Sequence, residues 1–142
     1  MRVKIYRKDP AVELPAYKTP GSVAFDISVA EDLLIPAHEI RLIPTGLIIC
    51  TPPGHMLLVA ARSSTPLKKG LMLANGIGIV DQDFCGPEDE IKIQVYNFTD
   101  KPVEVKRGDR LAQGLFLSVE QVEWEEVKEL NAKTRGGFGS TG

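Results

Sequence analysis

Ile91-Lys92-Ile93-Gln94-Val95-Tyr96 alternates apolar and polar side chains. Successive side chains of a strand point to opposite faces, so this run buries Ile91, Ile93 and Val95 and turns Lys92, Gln94 and Tyr96 the other way. The rest of the chain has the same texture. Ten prolines and thirteen glycines punctuate short apolar runs, and no stretch sustains the 3.6-residue period of a helix. The expectation is an all-β fold with strands at residues 3–7, 25–29, 39–43, 45–50, 55–60, 76–79, 91–97, 103–105 and 110–118. Pro, Gly or Asp stands at their ends, where chains turn. One helical turn is expected at residues 65–69, with Pro66 at a favoured first position and Gly70 able to end it. Residues 119–130 fit a strand (Val122, Trp124) or a helix (Val119, Val122, Val127, Leu130), and a strand is expected there. So many short strands with tight turns point to a sandwich, a jelly roll or a barrel-like domain.

A length of 142 residues suits one domain. Residues 1–130 carry the β pattern, and residues 131–142 form a tail of another kind. Arg135-Gly136-Gly137-Phe138-Gly139-Ser140-Thr141-Gly142 has little apolar area and much glycine, so a mobile segment is expected. Glycines there would let backbone N–H groups approach a phosphate closely. Arg135, Ser140 and Thr141 add donors, and Phe138 can lie flat on a base.

Composition narrows the function. A hydrophobic share of 43% and a charged share of 25% suit a soluble globular protein. No run approaches the roughly 20 apolar residues that cross a bilayer, so no membrane partner is expected. The charged start, Met1-Arg2-Val3-Lys4-Ile5-Tyr6-Arg7-Lys8, lacks the apolar centre of a secretory signal, and a cytoplasmic location is expected. A net charge of −2 argues against a polymeric nucleic-acid partner. Cys50 and Cys85, with no Cys-x-x-Cys and only two histidines, offer neither a disulfide framework nor a zinc set; two reduced thiols are expected.

Three places carry candidate chemistry. Asp81 ends an apolar run at a turn, where a carboxylate either bonds a nearby backbone N–H or serves as a base. Arg62 is followed by Ser63, Ser64 and the Pro-started helical turn, a set of donors suited to phosphate. Asp26 lies in a predicted strand and reads from its position as a strand-end carboxylate on the surface.

Five stretches in order resemble the motifs of the homotrimeric dUTPase family. They are Gly21-Ser22-Val23-Ala24-Phe25-Asp26-Ile27, Ala61-Arg62-Ser63-Ser64, the run from Asn75 through Asp81 to Phe84, Arg107-Gly108-Asp109-Arg110-Leu111-Ala112-Gln113, and the glycine-rich tail. Arg41-Leu42-Ile43-Pro44-Thr45-Gly46-Leu47 is also family-like. The resemblance implies a distorted jelly roll or barrel-like domain assembled as a homotrimer with sites shared between subunits. It implies a Mg2+-dependent hydrolysis of dUTP to dUMP and pyrophosphate, which would limit uracil in DNA and supply dUMP for thymidylate synthesis.

By the same resemblance, Asp81 holds the attacking water and Asp26 holds the ion through a water. Arg62, Ser63, Ser64 and Gln113 contact phosphates. Asn75, Gly78, Ile79 and Val80 meet the uracil edge, largely through backbone groups. Phe84 stands where the family usually has Tyr and would lie under the deoxyribose; its other reading is a core ring. Lys92 aligns with a substrate-contacting position, and Arg135, Phe138, Gly139, Ser140 and Thr141 would close over the ligand. Asp109 and Arg110 are expected to fix the local fold by pairing.

This chain also departs from the pattern. Ser64 replaces a common Gly, residues 87–90 make a longer loop, and the tail is short enough that Arg135 or Lys133 could take the phosphate role; Arg135, with its bidentate fork, is expected. The related dCTP deaminases place a Glu where Gln94 stands, and an amide cannot act as general acid or base.

Overall fold

The computed structural model describes residues 1–137. In chain order its elements are β1 (Lys4–Arg7), β2 (Phe25–Ser28), β3 (Leu33–Ile35), β4 (Ile40–Pro44), β5 (Leu47–Cys50), β6 (His55–Ala61), α1 (Ser64–Lys69), β7 (Leu71–Leu73), β8 (Gly78–Val80), β9 (Lys92–Asn97), β10 (Val103–Val105) and β11 (Arg110–Ser118). All pairings are antiparallel. They make one sheet ordered β2-β11-β6-β8, a second ordered β4-β9-β7, and two ribbons, β1-β5 and β3-β10. The all-β expectation holds, and among the described residues no sheet closes into a barrel.

The alternating run behaves as its pattern requires. Ile91, Ile93 and Val95 are buried, and Ile93 stands opposite Ile43 of β4. They join Ile27, Ile35, Leu57 and Leu111 in one core. Polar groups drawn into it are satisfied: Thr45 Oγ1 donates to the Ile91 carbonyl at 2.6 Å, and Asn97 Nδ2 donates to the carbonyls of Ile35 and Lys101 at 3.0 and 2.8 Å. Each such bond avoids the penalty of a buried orphan, about 1–3 kcal/mol. One close approach depends on glycine. A Cβ on Gly114 of β11 would meet the Phe25 ring at 2.7 Å, so the absence of a side chain lets that ring cross the sheet face.

α1 begins one residue before the expected turn and ends at Gly70, whose φ of 67° carries the left-handed cap. β3 and β7 have no counterpart in the sequence reading. At three residues each they are too short to show alternation, and they exist through pairing with β10 and β9.

Two expectations are corrected. Residues 119–130 contain no strand, because the β11–β6 ladder runs out at Ser118 opposite His55, where β6 begins. With no neighbour to supply a ladder the segment stays outside regular structure, and Trp124 is 93% exposed. Cys50 and Cys85 are not reduced thiols: they are bonded, with Cα atoms 5.0 Å apart, inside the roughly 4.4–6.8 Å that a disulfide spans. The sequence reading weighed compartment and spacing, and neither reports that folding brings residues 35 apart in sequence into contact.

Among the described residues no helix is long and apolar enough to cross a membrane. Residues 131–137 are exposed and outside helix and strand.

Candidate active site

The site residues fall into two clusters. The first lines a cleft of about 390 Å³ between β8, with the turn after it, and the start of β9. Asn75, Gly78, Ile79, Val80, Asp81, Phe84 and Lys92 all border it. A tight turn leads in: Gly76, at φ 73°, donates its N–H to the Leu73 carbonyl at 3.1 Å. β8 then runs close to β6, where a Cβ on Gly78 would lie 3.3 Å from Val59 Cβ. Among the described residues only β6 pairs with β8, so one row of its backbone donors and acceptors has no strand partner there. Asp81, exposed, follows directly. Phe84 is 38% exposed, which removes its reading as a core ring.

Residues 81–90 have no strand pairing; backbone turns such as the Cys85 N–H to the Asp83 carbonyl at 3.0 Å and ties from side chains hold them and the end of β8. Gln82 Oε1 accepts the Gly54 N–H at 3.1 Å, and Thr51 Oγ1 donates weakly to the Val80 carbonyl at 3.5 Å. The longer loop at 87–90 folds back on itself: Asp89 Oδ2 accepts the Gly86 N–H at 2.6 Å. Glu90 anchors its far end, accepting from the Gly46 N–H at 2.7 Å and from Lys8 Nζ at 3.3 Å with a side chain 9% exposed. Glu88, Glu90 and Gln94 line the cleft as well. The sequence reading passed over Glu88 and Glu90 because they lie in the stretch that departs from the family pattern.

The second cluster sits where β2, β11 and the end of β6 meet. Register puts Asp26 opposite Gln113, and Gln113 opposite Ala60, in one row. Arg62, just past β6, sets Nε 2.9 Å from Asp26 Oδ1, and Arg110 sets Nη1 2.8 Å from Asp26 Oδ2. The Arg62 fork also donates from Nη1 to the Arg110 carbonyl at 3.2 Å. Gln113 Nε2 donates to the Ala61 carbonyl at 3.1 Å. Ser63 makes no side-chain cap bond and is exposed. Below lies a depression of about 340 Å³ lined by Arg62, Ser64, Lys68, Lys69 and Arg110, among others.

Asp109 and Arg110 do pair, each with its own partner. Asp109 Oδ2 lies 2.6 Å from Lys69 Nζ and accepts the Lys106 N–H at 3.0 Å. Partial burial pushes its carboxyl up, but the Lys69 hydrogen bond, the Lys106 N–H and both lysine charges outweigh it, leaving the group below its ordinary value. Nothing in the sequence signalled the Arg110–Asp26 pair, whose members are 84 residues apart.

The two depressions share no lining residue. Arg135 and Lys133 are exposed, while Phe138, Gly139, Ser140 and Thr141 lie outside the described residues. Among the described residues no group of three or more His, Cys, Asp or Glu side chains is placed to hold a metal. Asp26 is the carboxylate that could meet an ion through a water, although two guanidinium groups already share its charge. Each carboxylate oxygen receives one arginine donor and keeps a second lone pair, and magnesium takes most of its ligands from phosphates and water.

The described residues form an antiparallel β domain with one cleft beside the β8 edge and a separate basic depression at Arg62, Lys68, Lys69 and Arg110. Residues 11–142 match the dUTPase family, and the chain belongs to it. It is 43% identical over 147 residues to the deoxyuridine 5'-triphosphate nucleotidohydrolase of Desulfitobacterium hafniense, covering all of this chain and 95% of that one. It is 39% identical over 138 residues to the enzyme of the same name from Lactococcus lactis, covering 95% and 91%. The crystal structure of dUTPase from Streptococcus mutans superposes with a TM-score of 0.78 at 33% identity, over 86% of this chain and 98% of that one. A Staphylococcus bacteriophage 80alpha dUTPase, 19% identical, shares the fold with a TM-score of 0.86 over 99% and 98%.

Proposed function

We propose that the protein hydrolyses dUTP to dUMP and pyrophosphate. The observation that carries this reading is Asp81: an exposed carboxylate at the mouth of the cleft, directly after an edge strand with unpaired backbone groups. The uracil edge pairs with the backbone of Gly78, Ile79 and Val80, with Asn75 beside it. Cytosine presents an amine donor where uracil presents an acceptor, so its binding would leave site donors unpaired and unfavourable. Phe84 lies under the deoxyribose. Asp81 takes a proton from a water molecule, which attacks the α-phosphorus in line as the bond to the bridging oxygen breaks and pyrophosphate leaves. Arg62, Ser63, Ser64, Gln113, Lys92 and Arg135 contact the phosphates, and Phe138, Gly139, Ser140 and Thr141 cover the bound nucleotide.

Family membership points to a divalent ion, and magnesium suits phosphate oxygens. Asp26 would hold it through a water, and the bound ion would neutralise phosphate charge. Gln94 in the cleft supplies no general acid or base, which argues against deamination.

The functional unit is a homotrimer with shared sites. Two features support assembly. Ile40, Leu42 and Met72 are exposed on β4 and β7, and Ile40 and Met72 flank Tyr96 in one cross-strand row. Val122, Trp124 and Leu130 are exposed after β11. Apolar area of this kind marks surfaces that other chains cover.

The test is incubation with dUTP and magnesium, reading pyrophosphate and dUMP, alongside dCTP and ammonia. Absence of dUTP turnover by the full chain overturns the reading.

A further inference from the structure

The catalytic turn proposed above is held at one end by the Cys50–Cys85 bond. Cys50 is the last residue of β5, whose neighbours Leu47, Ile48 and Ile49 are buried. Cys85 follows Phe84 and lies four residues after Asp81. The remaining ties from residues 50–54 to residues 80–82 are two hydrogen bonds, one of them at 3.5 Å. Both cysteines are half-buried, and both line an open groove of about 550 Å³ that also holds Tyr6, Lys8 and Glu88. A small thiol can therefore reach the bond. Glu88 borders this groove and the nucleotide cleft alike, so the wall between the two belongs to the loop that the bond anchors.

We propose that Cys50–Cys85 is a redox-sensitive staple: closed, it holds the Asp81–Phe84 turn in its site-ready position, and its reduction by a dithiol weakens dUTP binding reversibly. The inference rests on the reading of Asp81 and Phe84 as site residues. The chemistry is thiol–disulfide exchange. A thiolate of the dithiol attacks one cysteine sulfur, the protein S–S bond breaks, and its electron pair leaves with the other sulfur, which takes a proton. The second thiol of the reductant then displaces the first cysteine sulfur, which is protonated in turn, and the reductant departs as a disulfide. An oxidised dithiol reverses both steps.

Opening the bond removes a covalent loop closure and leaves residues 81–90 tied to the rest of the fold by the Gln82–Gly54 hydrogen bond and the Glu90 anchor, with the weak Thr51–Val80 contact just ahead of them and only their own backbone turns within. More conformations become available to the turn, and apparent affinity falls in proportion to the competent fraction.

The experiment equilibrates the full chain in reduced or oxidised dithiothreitol. It then reads, on the same samples, alkylated cysteines by mass, hydrogen exchange of residues 81–90, and dUTP kinetics. The oxidised sample should protect both cysteines from alkylation. Reduction should expose both, speed exchange across residues 81–90 and raise KM by roughly 3- to 10-fold with a smaller change in kcat. Reoxidation should restore each reading. Cys50→Ser should resemble the reduced protein and ignore the oxidant; the wild-type comparison stands even where that variant folds poorly. Equal KM and equal exchange in the two states overturn the staple, as does alkylation of both cysteines after oxidation. If no sample turns over dUTP, the functional reading fails separately, and the exchange and alkylation data still decide whether the bond forms and controls the loop.

Discussion

Asp26 and Arg62 stand 2.9 Å apart, carboxylate to guanidinium, at the junction of β2 and β6, and Arg110 closes on the other carboxylate oxygen at 2.8 Å. The Asp26 side chain is 12% exposed, whereas Arg62 and Arg110 are 28% and 40% exposed. One acid therefore orients two arginines whose remaining faces reach solvent. Asp26→Ala should cost about 1–2 kcal/mol in urea unfolding, below a fully buried pair because both arginines keep water contact. It should also raise KM for dUTP, since the Arg62 fork loses its aim. Unchanged stability and unchanged KM together would mean that the pair orders nothing.

Asp81→Asn should bind dUTP nearly as well as wild type while turnover falls by about 10²- to 10⁴-fold, the usual loss when a positioned base is removed. Equilibrium binding of a non-hydrolysable analogue, compared with single-turnover rates, separates the two effects. Near-normal turnover would remove Asp81 from the chemistry.

Asp109 gives a pH signature. Its carboxyl is held below its ordinary 3.8 in the fold, so the unfolded chain binds its proton first as pH drops. The resulting stability is fully present above the unfolded value and disappears as pH falls through the lower folded one. Wild type should therefore melt higher than Asp109→Asn at pH 6, and the gap should narrow below about pH 4. A gap that persists unchanged into strong acid would assign the effect to shape and not to charge.

Shared sites can be tested by mixing. Asp81→Asn chains and chains truncated after Leu130 should each be inactive as pure oligomers. Co-refolded in equal amounts, random assembly pairs an intact Asp81 with an intact tail in about a quarter of sites, provided that they come from different chains. No recovery, with mixed trimers verified by native mass, would show that one chain supplies both.

The alternation at residues 91–96 and the Gly and Pro punctuation were enough to indicate an all-β chain, because side-chain period and turn chemistry are local properties. The same locality let Pro66 and Gly70 mark α1, whereas the Asn75-to-Phe84 run was singled out by its resemblance to a family motif. Pairings were beyond its reach. β3 and β7 exist through their partners, and residues 119–130 have strand-like apolar spacing but no ladder beyond Ser118. Asp26 with Arg62 and Arg110, Glu90 with Lys8 and Gly46, and Cys50 with Cys85 are contacts across 35 to 84 residues. Such contacts follow from strand order and register, and strand order is set by how all the apolar faces share one core. The sequence by itself determined the class of fold and the residue types of the site; the tertiary structure alone decided which charges and which sulfurs meet.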